Sequence, residues 1–141
     1  MRTIGTLILA LLLPASAALA DGAVAIGIPP SGVAKAGFAW GRNVNSPSVE
    51  EASNRALNSC RIAKDASPEA RQMCGLFMSF NNQCVALALD PAAGTPGVGW
   101  AVAPQKETAE RQALANCRKT AGAGRENSCV ISDTACDTTK R

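Results

Sequence analysis

Residues 50–61 read EEASNRALNSCR and residues 107–118 read ETAERQALANCR. Each phrase ends Ala-Leu-x-x-Cys-Arg, and aligning Cys60 with Cys117 gives an offset of 57. Glu50 then meets Glu107, Ala52 meets Ala109, Ala56 meets Ala113, and Leu57 meets Leu114. Upstream, GFAW (Gly37 to Trp40) meets GVGW (Gly97 to Trp100) at offset 60. Downstream, Cys74 meets Cys129 at offset 55 and Cys84 meets Cys136 at offset 52. Three cysteines per copy in the same order indicate an internal duplication, and units this short must share a core.

Each copy has the same coarse pattern. Ala36, Phe38 and Trp40 alternate on one strand face, as do Val98, Trp100 and Val102. A helix follows. In copy one, Ser48 and Glu51 form an S-x-x-E capping box, with Ala52, Ala56, Cys60 and Ala63 near one face. In copy two the stripe is Ala109, Ala113, Leu114 and Cys117. Small alanines let such a helix lie close against a sheet. Strand candidates come next: MCGLFMSF and CVALALD around Asn81-Asn82, which reads as a hairpin turn, then SCVISD and TACDTT in copy two. The expectation is an α+β fold. Two β-α-β-β repeats share one antiparallel or mixed sheet core with two Ala-rich helices and three disulfides.

The first 20 residues stand apart. One cation, Arg2, precedes an apolar run from Ile4 to Leu13 and a small-residue end Ala18-Leu19-Ala20, the layout of a secretory signal peptide. That run is too short to span a bilayer. Removing residues 1–20 leaves 121 residues at a formal charge of +2. Residues 21–35 read as an N-terminal arm, mobile or lying at a sheet edge. Residues 36–141 read as one domain of two repeats, 36–90 and 97–138, joined by DPAAGTP. The scattered cations support no nucleic-acid partner. The expected setting is export, periplasmic or secreted, without a membrane span in the mature form.

All six cysteines lie in the mature part, and an even count in an exported chain reads as three disulfides. Zinc clusters want close Cys pairs, often with His; here successive separations are 14, 10, 33, 12 and 7, and there is no His. The repeat pairs Cys60 with Cys74 and Cys117 with Cys129, each tying a helix end to the next strand. Cys84 and Cys136 remain, and the expectation is a bond across a pseudo-two-fold axis between the copies.

A glycine–Trp strand, a Ser-capped helix, the ALxxCR helix end, a Cys-led strand and a second copy together resemble the domain-of-unknown-function 4189 family of small exported bacterial proteins. The resemblance runs from about Gly37 to Cys136, with GFAWG and GVGWA in place of a cleaner glycine–Trp–glycine. It implies a fold and a location, not an activity.

Nucleophile machinery is missing. Without His there is no Ser-His-Asp or Cys-His arrangement, and six paired cysteines leave no thiolate. Glu50, Glu51, Glu107 and Glu110 sit in first helical turns, where capping and the helix dipole explain them. Asp90, Asp133 and Asp137 are too dispersed for a calcium loop. No catalytic, cofactor-binding or metal residue is assigned. Trp40 and Trp100, equivalent at offset 60, read mainly as core and secondarily as a paired ligand surface. Two functions follow. The first is an exported, disulfide-stabilised, non-catalytic binding module, inhibitor-like, immunity-like or envelope-associated, whose partner is a protein or an envelope component. The alternative is a carboxylate-dependent hydrolase of an envelope polymer, which needs two carboxylates facing each other in a cleft.

Overall fold

The computed structural model of the chain describes residues 21–137, so the expected signal peptide lies outside the described residues. The elements run β1 (Asp21–Gly27), α1 (Val33–Ala36), β2 (Ala39–Ser46), α2 (Val49–Arg61), α3 (Pro68–Gln72), β3 (Gly75–Asn81), β4 (Cys84–Leu89), β5 (Val98–Ala103), α4 (Lys106–Thr120) and β6 (Val130–Cys136). They build an α+β fold of two antiparallel three-stranded sheets, ordered β2-β1-β3 and β5-β4-β6.

The sheets face each other, and each carries its long helix on the outside. Ala23, Ala25 and Ala39 meet Ala52, Ala56 and Cys60 of α2. Ala86, Ala88 and Ala103 meet Ala109, Ala113 and Cys117 of α4. The alternate residues Val24, Ile26, Phe80 and Val85 fill the space between the sheets, with Trp40, Met78, Trp100 and Val102 packed at its margins. The period-two alternation of each strand therefore sends alanines outward to a helix and larger residues inward to the shared core.

Several features differ from the sequence expectation. Residues 21–27 are no loose arm: β1 is the central strand of its sheet, and Ala23, Val24 and Ala25 have no exposed surface. DGAVAIG contains neither Cys nor Trp, so a repeat search keyed on those residues passes over it. Further, Asn82 has the expected positive φ of 50°, but the turn carries the chain from one sheet to the other and closes no hairpin. β4 consequently belongs with β5 and β6, and the repeated unit is β-β-α-β: Asp21–Asn81, then Cys84–Cys136. The two segments expected after α4 are joined in the single bulged strand β6, Val130–Cys136; the end of the second, residues 138–139, lies outside the described residues.

The register fixes which residues are true counterparts. A Cβ on Gly41 would lie 2.2 Å from the Ala56 carbonyl oxygen, and one on Gly99 would lie 2.1 Å from the Cys117 nitrogen. Each glycine lets a helix backbone settle onto its sheet, so Gly41 corresponds to Gly99. Trp40 stands before its glycine and Trp100 after it. The counterpart of Trp100 is therefore Arg42, and the equivalence of the two tryptophans at offset 60 does not hold.

The disulfides are Cys60–Cys74, Cys117–Cys129 and Cys84–Cys136, with no free cysteine. The pairing is as expected, but Cys84–Cys136 does not cross between copies. The two residues are register partners on adjacent strands β4 and β6, with Cα atoms 3.9 Å apart, shorter than the usual disulfide span. The same register position in the first half is Asp21↔Asn81, where the Asn81 side-chain amide donates to the Asp21 carboxylate at 3.2 Å.

Ser48 Oγ caps α2 by accepting the Glu51 N–H at 3.2 Å, and Ser67 caps α3 by accepting the Ala70 N–H at 3.1 Å. The N-cap of α4 is Gln105, whose side chain makes no capping bond.

Candidate functional site

Two opposed sheets leave two flanks, β2 against β6 and β3 against β5. Their chemistry differs. On the first flank the Arg42 guanidinium meets Asp133 as a fork, Nε to Oδ2 at 2.7 Å and Nη2 to Oδ1 at 2.8 Å. The Trp40 indole N–H donates to the same carboxylate at 3.0 Å. Burial alone would raise the Asp133 pKa. The hydrogen bonds from Arg42 and Trp40 and the Arg42 charge outweigh it and hold the carboxyl below its ordinary value. The Arg42 pKa is raised by its bond to Asp133, against the effect of burial. One residue past β6, Asp137 is fully buried and accepts the backbone N–H groups of Asn45 at 3.0 Å and Asn82 at 3.2 Å. This flank is sealed with charged and buried polar groups, each partnered.

The second flank is apolar and open. Phe77 of β3 and Trp100 of β5 meet edge to face, centroids 5.6 Å apart and planes at 83°. Phe77 is 53% exposed and its neighbour Leu76 46%. Beside them runs a groove of about 520 Å³. Val98, Trp100, Val102 and Phe77 form its apolar side, and Gln112, Asn116 and Lys119 of α4 form the polar wall. The wall stands there because Gly99 lets α4 settle onto β5, which brings the next face of the helix alongside the strand edge.

β5 is an edge strand, and its edge is partly covered. The Asp90 N–H bonds the Gly97 carbonyl across the β4–β5 pair, so the backbone groups of Val98, Trp100 and Val102 point away from β4. Thr120 Oγ1 takes the Val98 N–H at 2.9 Å and donates to the Val98 carbonyl at 2.7 Å. Asn116 Nδ2 donates to the Trp100 carbonyl at 2.9 Å. Beyond Asn116 no described side chain bonds to the edge.

The structure separates the two tryptophans proposed as one ligand surface. Trp100 lines the groove. Trp40 lines another recess with Phe38, Leu87 and Leu89, its indole N–H held by Asp133. The six cysteines are all consumed in disulfides. The helix-start carboxylates do not converge: Glu51 pairs with Arg55 on its own helix, and Glu110 accepts the Thr134 hydroxyl at 3.0 Å with Lys106 at 3.8 Å. Glu50 and Glu51, adjacent on α2, line a shallow recess that no other element enters.

Sequence reasoning passed over Arg42, and it weighed Asp90, Asp133 and Asp137 only as a calcium loop. Asp90, with no exposed side-chain surface, is held by Arg125, whose Nη2 donates to Oδ1 at 2.8 Å, and by the Ala92 N–H at 3.0 Å. The Arg125 bond, opposed by burial and aided by Ala92, lowers its pKa. This clamp ties the β4–β5 connection to the loop before Cys129. The available signal was the placement of three Asp at or just beyond strand ends or inside a strand, where a lone carboxylate needs a partner.

A family model described as Domain of unknown function (DUF4189) matches residues 22–136, nearly all of the described chain, and the chain belongs to that family. No curated protein and no solved structure matches it.

Proposed function

We propose that this member of the DUF4189 family is an exported binding module that holds a protein or envelope component in the groove between β5, α4 and Phe77. The observation that carries the reading is the contrast of flanks. One is closed by a partnered ion pair, and the other presents exposed aromatic and aliphatic surface beside a concave polar wall. Three disulfides with no free thiol suit an oxidising compartment outside the cytoplasm. They also compensate for alanine-rich helix contacts that bury little area per residue. The groove is lined by no carboxylate, and its one ionised side chain is Lys119. This favours recognition over the two-carboxylate hydrolysis considered from sequence.

The test is capture from a solubilised envelope fraction on immobilised residues 21–141, comparing the unaltered chain with Phe77→Ala and Trp100→Leu. Folding of each variant is checked by circular dichroism and a thiol assay. Partners retained by the unaltered chain and lost by both variants support the groove. Partners retained equally by all three, or lost on Arg42→Ala instead, overturn it.

A further inference from the structure

We infer that the occupant of the β5 groove is an extended peptide segment. It adds to β5 as a fourth strand, an acidic side chain toward Lys119 and an apolar one against Phe77 and Trp100. The inference rests on the groove reading and names its ligand.

The backbone argues first. Past Asn116, the Trp100 N–H and the N–H and C=O of Val102 point off the sheet edge, and no described side chain bonds to them. Two donors and an acceptor at strand spacing match an extended chain, which offers alternating acceptors and donors at the same period. A sugar polymer has no such match to a strand edge. The covered stretch sets the register, because Thr120 and Asn116 occupy the positions a longer guest would need at Val98 and the Trp100 carbonyl. These side chains act as stops against indiscriminate edge pairing.

The side walls argue second. An added strand points successive side chains to opposite faces. One set falls on the α4 side among Gln112, Asn116 and Lys119, and the other on the side of Trp100, Val102 and Phe77. Lys119 is the only ionised residue lining the groove, so the complementary side chain is a carboxylate. The other face takes valine, leucine or phenylalanine. At the counterpart edge, β2, Arg42 stands at the position of Trp100 and is spent on Asp133.

The test uses ¹⁵N-labelled residues 21–141 with an acetylated, amidated heptapeptide alternating valine and glutamate. Two further peptides are N-methylated at adjacent central residues, and an N-acetylglucosamine tetramer is the glycan probe. The expected result is that the heptapeptide shifts the Trp100 and Val102 amides, and that one N-methylated peptide, whose amide would face β5, binds about tenfold more weakly than the other. Lys119→Glu weakens the valine–glutamate peptide by a similar factor and gains affinity for a fourth heptapeptide that carries lysine in place of each glutamate. Binding indifferent to both N-methylations, or to the Lys119 reversal, overturns the inference. If the glycan moves Phe77 and Trp100 resonances and no peptide does, the groove reading stands and the peptide assignment falls. If no probe moves them and envelope capture is indifferent to Phe77→Ala, both fall.

Discussion

The flank where β2 meets β6 and the flank where β3 meets β5 are counterparts by the repeat, yet one is a joint and the other an opening. Arg42 occupies the place of Trp100, and Asp133 on β6 aligns with Met78, next to Phe77 on β3. An ion pair with an indole donor has been placed on one side and an aromatic pair on the other. A second exchange separates the halves. The cross-strand position that is Cys84–Cys136 in the second half is the Asp21–Asn81 hydrogen bond in the first. Duplication supplies two similar frames. What differs is which positions are spent on holding the frames together and which are left to meet something else.

The largest effect is expected at the covalent exchange. Cys84→Ser with Cys136→Ser opens a loop whose ends are 52 residues apart, worth about 4 kcal/mol in the chain-entropy model. Thermal unfolding should show that loss, and hydrogen exchange should show β6 opening before β1. Equal opening of both sheets would break the distinction between halves. The converse substitution, Asp21→Cys with Asn81→Cys, should form a fourth disulfide on oxidation, seen as a linked peptide without reduction. Free thiols there would show that the register correspondence is wrong.

Next come the flanks. Asp133→Ala strands the Arg42 charge and the Trp40 N–H in a half-buried site and should cost about 2 kcal/mol, less than for a fully buried pair. Phe77→Ala, on the exposed side, should cost about 1 kcal/mol. Urea titration measures both; a reversal of their order would contradict the assignment of joint and opening.

The ion pair also predicts a pH dependence. The folded-state pKa of Asp133 is below its ordinary value, so its contribution is fully present above the unfolded carboxyl range, near pH 4, and is lost as pH falls through the folded value. Stability measured below about pH 4 should decline with acid, and Asp133→Asn should flatten part of that slope. An unchanged slope would show that other carboxylates carry the whole decline.

The smallest effect concerns the helix starts. α2 has its serine cap and α4 has Gln105, so Ser48→Ala should cost about 1 kcal/mol and Gln105→Ser should gain a few tenths. No gain at Gln105 would mean that α4 is already held by Thr120 and Asn116 at its other end.

Much of this frame can be read in the chain before any coordinates. The ALxxCR phrases place both long helices, and the order of cysteines gives all three bonds. What escapes is whatever lacks a distinctive residue or depends on register. β1 is written in Gly, Ala, Val and Ile without a marker, so it is missed although it lies at the centre of a sheet. The two-residue shift between aligning Trp40 with Trp100 and aligning Gly41 with Gly99 cannot be seen from the tryptophans, because the glycine, and not the aromatic ring, touches the helix. That shift also hides the site. Aligning the rings suggests a paired surface, whereas the register sends one ring into an ion-pair joint and leaves the other in a groove. Asp133 finds its partners 91 and 93 residues away, a distance over which sequence pattern carries no pairing signal.

The most direct measurement of the contrast is the pair of indole N–H signals in a ¹⁵N–¹H spectrum, since the chain has two tryptophans. The Trp40 signal, bonded to Asp133, should exchange slowly with water and move on Asp133→Asn. The Trp100 signal should exchange quickly, ignore that substitution and move on Phe77→Ala. Two indole signals that exchange alike, or that both respond to Asp133→Asn, would show the flanks to be equivalent and contradict the account.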